Sequence, residues 1–458
     1  MPYRDLREYI VQLENEGEVQ RIEEQVQPVY EVGAIIRRSY DLQAPAPFFL
    51  NLRGYSGQAI LGAPIGLSGR KGRTFARFAI SMDMPPDSTP LEIIKEYSRR
   101  IKKPIKPVLV KDGPCKENVL LGDAVDLQIF PAPVLHQGDS GPYLGTWHAI
   151  ITKDPDSEVH HWGLCRLMIH DRKTMVGNFL PVRDMGGQRY AYNQNRGALE
   201  FAIALGTEPV TPWVAGTRFP PDVSEVDIIG GIRQAPLELV KCETVDLAVP
   251  ATSEIVVEGL ILPRGQGEDG SRPIYYVTAI THRNNPILPV SCMGMSVDDS
   301  SVSFSLTKAA NILDEVRSRG LPVKAVYCPP EAASQWTIAS TKIPYSDCAR
   351  NLAQAIWQTG WGRSSCYLFI VEEDVDVTDM GQVLWAVSTT HHSKHGTLQV
   401  ENEPEERTRH LGAYASFDCP WPREWPKEAI SMKASFNNIW PKEVQEKVLR
   451  DWHAYGYK

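Results

Sequence analysis

The sequence predicts a mixed α/β protein in three parts: an N-terminal α/β part (residues 1–115), a central β-barrel part (116–304) and a C-terminal α/β part (305–458). Three observations support this prediction. Helical periodicity and short apolar runs lead up to the proline-rich stretch "IKKPIKPVLVKDGP". Strand-like runs separated by Gly, Pro and Asp follow, and helical and strand patterns alternate from about residue 305 onward. The 458 residues are enough for about three domains.

The N-terminal part opens with a predicted helix. Asp5 is placed to cap it, and Glu8, three residues later, completes a capping-box pattern. Leu6 and Ile10 lie on one apolar side, and Gly17 is expected to end the helix. The stretches "VYEVGAIIRRSYD" and "PLEIIKEYSRRI" predict further helices, with short apolar runs between them.

The central part is dominated by strand-like runs, among them "WHAIITKDP", "FAIALG", "SEIVVEGLIL" and "PIYYVTAITHR". A closed or split barrel is the predicted architecture. In "HHWGLCRLMIHD" (160–171), Leu164, Arg166 and Met168 alternate with apolar neighbours, which predicts a strand with an arginine in its middle. Burying a guanidinium is costly unless an anion meets it. Either this face is exposed, or Arg166 awaits an anionic ligand.

From residue 305 onward, helical patterns alternate with apolar strands. "SLTKAANILDEVRSRG" precedes "VKAVYC", "DCARNLAQAIWQTG" precedes "CYLFIVEED", and "DMGQVLWAVSTT" is helical again. This alternation predicts parallel strands joined by helices. The tail "WPKEVQEKVLRDWHAYGYK" predicts a last amphipathic helix that packs on another part of the molecule or on a partner subunit.

Composition limits the function classes. The net charge of −8, without a basic block, argues against nucleic acid as the main partner. No apolar run is long enough to span a membrane, and the start "MPYRDLREYI" is not that of a signal peptide. The 8 cysteines are scattered without a CxxC pair, as expected of reduced thiols in a cytoplasmic protein.

Four smaller motifs have a plainer interpretation beside a functional one. "GQGEDG" (265–270) matches GxGxxG but leads into a strand, so a turn is favoured over a dinucleotide site. The histidines of "HHSKHG" (391–396) are better explained by a solvated loop than by a metal site. Cys242 in "VKCET" is better explained as a structural thiol than as a nucleophile. For His136 in "LHQGDSGPY", binding and turn formation are equally supported.

Longer motifs occur in a fixed order along the chain. "DLREYIVQLENEGEVQRI" is followed by "APFFLNLRGY" and then by the block "DLQIFPAPVLHQGDSGPYLGTWHAIITKDPDSEVHHWGLCRLMIHD". "FPPDVSEVDIIGGI", "PLELVKCETVDLAVPATSEIVVEG", "VTAITHRNNPI" and "VEEDVDVTDMGQVLWAVST" come later. In order and spacing these motifs resemble the UbiD family of decarboxylases, which use prenylated FMN. The resemblance covers essentially the whole chain.

The resemblance implies a fold, a cofactor and partners. The fold has an N-terminal α/β part, a central split β-barrel resembling flavin reductases that holds the cofactor, and a C-terminal α/β domain whose terminal helix serves a homodimer. The cofactor is prenylated FMN, made by a separate flavin prenyltransferase, with Mn²⁺ and K⁺ bridging its phosphate to the protein. The substrate is a small-molecule carboxylic acid.

Matching residue by residue, Arg166 corresponds to the family's catalytic arginine, which holds the substrate carboxylate. The resemblance thus offers a reason for the arginine in this stretch, since its planar fork suits bidentate pairing. Thr146 and Gly216 match cofactor contacts. Leu164 and Cys165 match backbone contacts beside the flavin.

The metal ligands match less closely. His161 stands where the family has an asparagine ligand, and Glu225 matches its glutamate ligand. Gln188 and Arg189 match a cofactor-contacting Gln–His pair whose histidine is the third ligand. An arginine at 189 can pair with the phosphate directly, so we expect metal dependence weaker than the family norm.

A second departure concerns the proton donor. The family usually carries "EGPFGE" after the "VVEG" strand, which supplies two glutamates of an E-R-E network, and this segment is shorter here. Glu268 is therefore the candidate general acid, a role that requires a raised pKa. The alternative is that Glu268 and Asp269 are surface acids on a hairpin loop.

The leading hypothesis is a carboxy-lyase that reversibly decarboxylates an aromatic, heteroaromatic or α,β-unsaturated acid, with Arg166 clamping the carboxylate. Two alternatives stay open. The missing glutamate motif favours a related flavin enzyme of different chemistry, such as a dehydratase. A non-catalytic cofactor-binding subunit is the other, and the retention of Arg166 argues against it.

Overall fold

The structure is a computed structural model. It describes residues 3–153, 159–177, 198–220, 223–262, 268–269, 272–342, 347–401, 413–421, 426, 428, 430, 434–436 and 439–457. The elements alternate between helices and strands in the first and last thirds, and strands dominate the middle. The predicted mixed α/β fold class is confirmed. The boundaries after residues 115 and 304 stay a prediction.

The N-terminal part contains α1 (Leu6–Asn15), β1 (Val19–Ile22), α2 (Glu31–Asp41), β2 (Ala46–Phe49), β3 (Ala59–Gly62), α3 (Ala76–Ser81), α4 (Pro90–Ile101) and β4 (Val108–Leu109). The Asp5 carboxylate caps α1 by accepting the Glu8 N–H at 2.9 Å. The other half of the predicted capping box does not form, because the Glu8 carboxylate accepts the N–H of Arg4 instead of that of Asp5. Gly17 follows the helix with a φ of 66°, a conformation that glycine adopts without strain.

The central part contains two helices and thirteen strands within the described ranges: β5 (Asn118–Leu121), β6 (Tyr143–Gly145), β7 (His148–Lys153), β8 (His160–Gly163), β9 (Leu167–Ile169), β10 (Thr174–Gly177), β11 (Leu199–Leu205), α5 (Val210–Ala215), α6 (Glu225–Arg233), β12 (Glu238–Lys241), β13 (Ala248–Pro250), β14 (Ile255–Ile261), β15 (Glu268–Asp269), β16 (Arg272–His282) and β17 (Ile287–Val290).

Ten of these strands form one sheet, which runs in the order β6-β9-β10-β16-β14-β11-β7-β8, with β5 and β15 also paired to β16. The edge strands β6 and β8 do not pair with each other in the described residues, so the sheet is a split barrel. Strand β17 instead joins the N-terminal sheet as β1-β2-β3-β17, and β4 pairs with β12. These two pairings tie the first part of the chain to the barrel.

Side chains on the two faces of this sheet enter different cores. Along β7, Ala149 and Ile151 pack into a core shared with α4, α5 and α6, whereas Ile150 packs into the barrel interior with Ile203 and Val257. This alternation follows from the two-residue period of a strand. Both faces of the sheet are therefore covered by packed side chains.

The C-terminal part contains α7 (Asp299–Ser318), β18 (Val323–Tyr327), β19 (Trp336–Thr341), α8 (Cys348–Trp357), β20 (Tyr367–Glu372), α9 (Met380–Thr390), β21 (Thr397–Glu401), β22 (Ala413–Asp418) and α10 (Lys442–Arg450). The predicted all-parallel pairing is only partly right. β19, β20 and β22 are parallel, but β18 and β21 pair antiparallel with β19 and β22. A 3₁₀ turn, with no α-helix, links β18 to β19, and such a short link reverses the chain direction.

Helix α10 lies at the protein surface, and none of its residues is buried. Large apolar side chains are exposed on it and around it: Ile439, Trp440, Val444, Leu449, Trp452, Tyr455 and Tyr457. Among the helices that the structure describes, none has the length and hydropathy needed to cross a bilayer.

Candidate active site at the split of the barrel

Arg166 lies on an exposed link between two strands. Strand β8 ends at Gly163 and β9 begins at Leu167, so the predicted continuous strand through Arg166 is wrong, and the side chain of Arg166 is exposed. The physical reason is the sheet order. β8 is one edge of the sheet, and β9 pairs with the strand at the opposite edge, so residues 164–166 leave one ladder and cross to the other.

A second link crosses the split beside it. Thr146 and Trp147 connect β6, at one edge, to β7, next to the other edge. Between Gly145 and His148 a chain of this length reaches at most about 11 Å, which holds the two edges close together. We call the two links, residues 146–147 and 164–166, the crossings. They carry all four of the predicted contacts Thr146, Leu164, Cys165 and Arg166.

The side chains on the crossings point in different directions. The Arg166 guanidinium carbon lies 5.2 Å from the ring centroid of Tyr143, a cation–π contact. Leu164 is half-buried against the helix-covered core, and Cys165 is buried in the barrel interior. Thr146 is buried, and its hydroxyl accepts the N–H of Ser291 at 3.1 Å. The crossings are thus anchored, with the arginine left at the surface.

The two clear predicted metal ligands lie next to each other. His161 is on the edge strand β8, and Glu225 is the first residue of α6. His161 Nδ1 is 3.8 Å from Glu225 Oε1, and the other carboxylate oxygen accepts the N–H of Trp162 at 3.4 Å. Both side chains are mostly buried, with 12% and 13% of their surface exposed. An imidazole and a carboxylate placed together in this way are suitable ligands for Mn²⁺.

The other predicted site residues are placed less fully. Gly216 ends α5, a helix that packs on β7, and its N–H donates to Pro212 at 3.0 Å. Glu268 lies on β15, whose backbone pairs with the start of β16. Gln188 and Arg189 lie outside the described residues. Over the described ranges, no three His, Cys, Asp or Glu side chains are grouped to hold a metal ion.

The structure supports the plainer interpretation of the two remaining motifs. His391, just after α9, contacts the Asp418 carbonyl at the end of β22 at 3.2 Å and the Thr397 hydroxyl at the start of β21 at 3.1 Å. Burial raises the pKa of the Cys242 thiol well above its usual range, and Glu258 adds to the rise, so this thiol keeps its proton. Neither motif contributes to the barrel split.

Two features of the site were missed in the sequence. His136 Nε2 lies 3.6 Å from Cys292 Sγ, a contact between residues 156 positions apart that no local pattern signals. His148, at the start of β7, is fully buried, and neither ring nitrogen has a hydrogen-bond partner in the described part of the chain. Burial lowers the pKa of His148 to about 3, so its ring is neutral. Unsatisfied buried nitrogens of this kind mark a place where a polar partner is expected.

Comparison with known protein families gives matches over most of the chain. Residues 10–97, 106–296 and 301–415 match the N-terminal, Rift-related and C-terminal domain models of 3-octaprenyl-4-hydroxybenzoate carboxy-lyase, UbiD. The chain is 31% identical to a pyrrole-2-carboxylic acid decarboxylase of Pseudomonas aeruginosa, covering 99% of this chain and 98% of that protein. It is 28% identical to ferulic acid decarboxylase 1 of Saccharomyces cerevisiae, covering 100% and 99%.

Solved structures give the same picture. The vanillic acid decarboxylase of Sedimentibacter hydroxybenzoicus in open form superposes with a TM-score of 0.84 at 26% identity, covering 99% of this chain and 100% of that one. An evolved dimeric form of the UbiD-class enzyme HmfF from Pelotomaculum thermopropionicum, in complex with prFMN, gives a TM-score of 0.78 at 26% identity and covers 96% and 100%.

Proposed function

The chain belongs to the UbiD family of carboxy-lyases, and we propose that it catalyses the reversible, non-oxidative decarboxylation of an aromatic, heteroaromatic or α,β-unsaturated carboxylic acid with prenylated FMN. The observation that carries this proposal is the position of Arg166. It is exposed on a crossing of the barrel split whose neighbours Leu164 and Cys165 match the family's cofactor contacts.

Arg166 is proposed to bind the substrate carboxylate. Its guanidinium has five N–H donors in a planar fork that matches the two oxygens of a carboxylate. Stacking on Tyr143 holds the fork at the split without using its in-plane donors. Binding both carboxylate oxygens orients the carbon–carbon bond that breaks, which is how positioning lowers the barrier.

The residues present fit a flavin and a metal ion. Thr146 and Gly216, with the backbone of Leu164 and Cys165, are proposed to hold prenylated FMN. His148, two residues after Thr146, supports a polar ligand nearby, since its two buried ring nitrogens have no partner in the described residues. When bound, the modified flavin supplies the electron-accepting group that makes loss of CO₂ feasible.

His161 and Glu225 are proposed to ligate Mn²⁺, since their donor atoms lie 3.8 Å apart. K⁺ is proposed as a second ion near the cofactor phosphate. Gln188 is proposed as a further cofactor contact. Arg189 is proposed to pair with the phosphate directly, which would make the metal less important than in other family members.

Glu268 stays the carboxylic acid to which the family resemblance points as proton donor. Its role is tested by the rate at which Glu268→Gln exchanges solvent deuterium into the product. Exchange at the wild-type rate would remove Glu268 from the reaction.

Three expectations concern partners and location. The cofactor is proposed to come from a flavin prenyltransferase. The exposed apolar side chains around α10 support a homodimer in which this helix packs on the partner. The scattered, mostly buried cysteines support a cytoplasmic location.

The test is co-expression with a flavin prenyltransferase, followed by a visible spectrum and an assay of CO₂ release. The acids are pyrrole-2-carboxylate, ferulate and vanillate, with further cinnamates, phenolic acids and heteroaryl acids. We expect a flavin spectrum distinct from that of FMN and CO₂ release from at least one acid. Cofactor binding without CO₂ release from any acid would favour a dehydratase or a non-catalytic subunit.

A further inference from the structure

A thiol, an imidazole and a carboxylate lie in line near the barrel split. His136 Nε2 is 3.6 Å from Cys292 Sγ, and His136 Nδ1 is 3.3 Å from Asp139 Oδ2. The same Asp139 oxygen accepts the backbone N–H of His136 at 2.8 Å. With the Nδ1 proton directed at Asp139, the lone pair of Nε2 faces the thiol.

The cluster reaches solvent through its middle member. The His136 side chain is 39% exposed, whereas the Asp139 side chain is 11% exposed and Cys292 is 1% exposed. His136 therefore meets water, and the sulfur is buried. The buried sulfur distinguishes the cluster from a surface turn, in which all three side chains would be hydrated.

The thiol keeps its proton at neutral pH. Burial raises the pKa of Cys292 to about 11, and the positive charge of Arg37 opposes this rise. Three carboxylates nearby add to the rise: Asp139, Asp298 and Asp299. A protonated sulfur donates to His136, and it is also an acid able to release a proton when a stronger base forms beside it.

The buried end lies next to the crossings. Ser291, the neighbour of Cys292, donates its N–H to the Thr146 hydroxyl at 3.1 Å. The loop that carries His136 leads directly into Tyr143, whose ring lies under Arg166. Tyr143 pairs with Met168 on β9, so this loop and the Arg166 link belong to adjacent strands.

The hairpin of Glu268 is farther away. Glu268, on β15, pairs with Pro273 on β16. Strand β16 pairs with β10, and β10 pairs with β9. Three strand spacings therefore separate β15 from β9, or about 14 Å along a flat sheet. Strand β6, into which the loop of His136 leads, is one spacing from β9. Counted in strands, the His136 loop therefore leads into the nearer neighbour of β9 and of the Arg166 link.

We propose that His136 and Cys292, positioned by Asp139, form a proton relay from solvent to the barrel split and supply the proton that replaces CO₂ on the product carbon. This inference rests on the decarboxylase function proposed above. It assigns to the cluster the role of proton donor, for which Glu268 is the alternative candidate.

The proton balance of the relay closes. Decarboxylation breaks the bond between the carboxylate and the substrate carbon, leaves the electron pair on that carbon and requires one proton for the new C–H bond. The thiol proton moves to the substrate carbon and leaves a thiolate. The neutral imidazole of His136 takes a proton from solvent and then passes the proton on Nε2 to the sulfur, which restores both the thiol and the neutral ring. One proton from solvent is consumed per turnover, and no oxidant or reductant is needed.

The first test uses the cofactor-free protein. The rate at which a methanethiosulfonate reagent labels Cys292 is measured by peptide mass spectrometry in wild type and in His136→Ala. Loss of the base is expected to slow labelling of Cys292 about 10-fold or more. Cys115, buried and with a pKa raised by burial to about 12, is the internal control. Unchanged or faster labelling of Cys292 would overturn the relay.

The second test uses the loaded enzyme. We expect Cys292→Ala and His136→Ala to slow solvent deuterium exchange into product by about 10²-fold with KM unchanged, and added imidazole to restore exchange in His136→Ala. His170→Ala, which alters an exposed histidine, is the matched control. Wild-type exchange rates in both variants would overturn the relay alone. A wild-type enzyme that releases no CO₂ from any acid would overturn the decarboxylase proposal instead.

Discussion

Arg77 and Arg166 show two ways in which this protein places a guanidinium. Arg77, on α3, is fully buried, and it donates to the carbonyls of Gly66 and Leu67, both at 2.8 Å. A third bond reaches the Ala44 carbonyl at 2.9 Å, with Glu18 at 3.5 Å. Arg166 is exposed at the barrel split, and the contact described for it is with the face of an aromatic ring.

The contrast separates a structural arginine from a binding one. A buried charge survives only when its donors are satisfied by the protein, and Arg77 meets that condition. A guanidinium that must bind a passing carboxylate has to keep its donors accessible. The cost of burying a guanidinium therefore applies to Arg77 and not to Arg166.

The largest expected effect is on catalysis. Arg166→Ala should lower turnover by about 10³-fold or more, since the carboxylate loses a bidentate charged partner. Its free energy of unfolding should stay within about 0.5 kcal/mol of wild type because the side chain is exposed. Steady-state CO₂ release and urea unfolding measure the two effects. Arg172→Ala, which removes an exposed arginine paired with Asp126, is the matched control.

Two results would contradict the assignment of Arg166. Near-normal turnover would show that the carboxylate binds elsewhere. Unfolding of the variant would show that Arg166 resembles Arg77 and has a structural role.

The reverse pattern is expected at the buried site. Arg77→Met should lower the free energy of unfolding by about 3–5 kcal/mol, because Glu18 and three carbonyls lose their donor inside the protein. Urea unfolding of the cofactor-free protein measures this. Arg73→Met is the control, since Arg73 is 32% exposed and pairs with Glu16 near the surface. Equal losses in the two variants would show that burial of the pair is not the cause.

A smaller effect is expected at the proposed metal site. Glu225→Gln should weaken Mn²⁺ binding at least about 10-fold, since the carboxylate loses its charge. His161→Asn restores the family's usual ligand and should retain binding. Titration of free Mn²⁺ by electron paramagnetic resonance in the presence of FMN measures both, with the exposed Glu238→Gln as control. Unchanged affinity in Glu225→Gln would remove this carboxylate from the metal site.

An effect of comparable size, on stability alone, concerns His148, a buried polar residue whose nitrogens, unlike those of Arg77, lack partners in the described residues. Burial depresses its pKa from 6.5 to about 3, so the folded state binds fewer protons than the unfolded state in that interval. The contribution of neutral His148 to the free energy of unfolding is therefore fully present above pH 6.5, and it is lost as the pH falls toward 3. At pH 5 the loss should be about 2 kcal/mol relative to His148→Leu.

Urea unfolding of the cofactor-free protein at about pH 7.5 and about pH 5 measures the effect. The two pH values are about 2.5 units apart and lie on either side of the ordinary histidine pKa. His170→Leu is the control because His170 is exposed. Parallel pH profiles for wild type and His148→Leu would show that His148 is hydrated or partnered in solution.

Local pattern and family resemblance predicted much of the fold. The cap of α1 by Asp5, the helix α9 after Asp379 and the strand-rich middle all follow from residues close together in the chain. The antiparallel placement of β18 was missed because a short 3₁₀ turn, and not a helix, links β18 to β19. The break at Leu164 to Arg166 was missed for a related reason. Period-two alternation continues through those residues, and only the pairing partners change.

The candidate site divides in the same way. The family resemblance, matched residue by residue, proposed Arg166, His161 and Glu225 as site residues from the sequence. The tertiary structure alone decided that Arg166 is exposed, that His161 and Glu225 meet at an edge strand, and that Cys292 faces His136. Contacts between residues so far apart in the chain depend on sheet order and on the closure of the barrel. These arise from packing summed over many strands, and no short stretch of sequence specifies them.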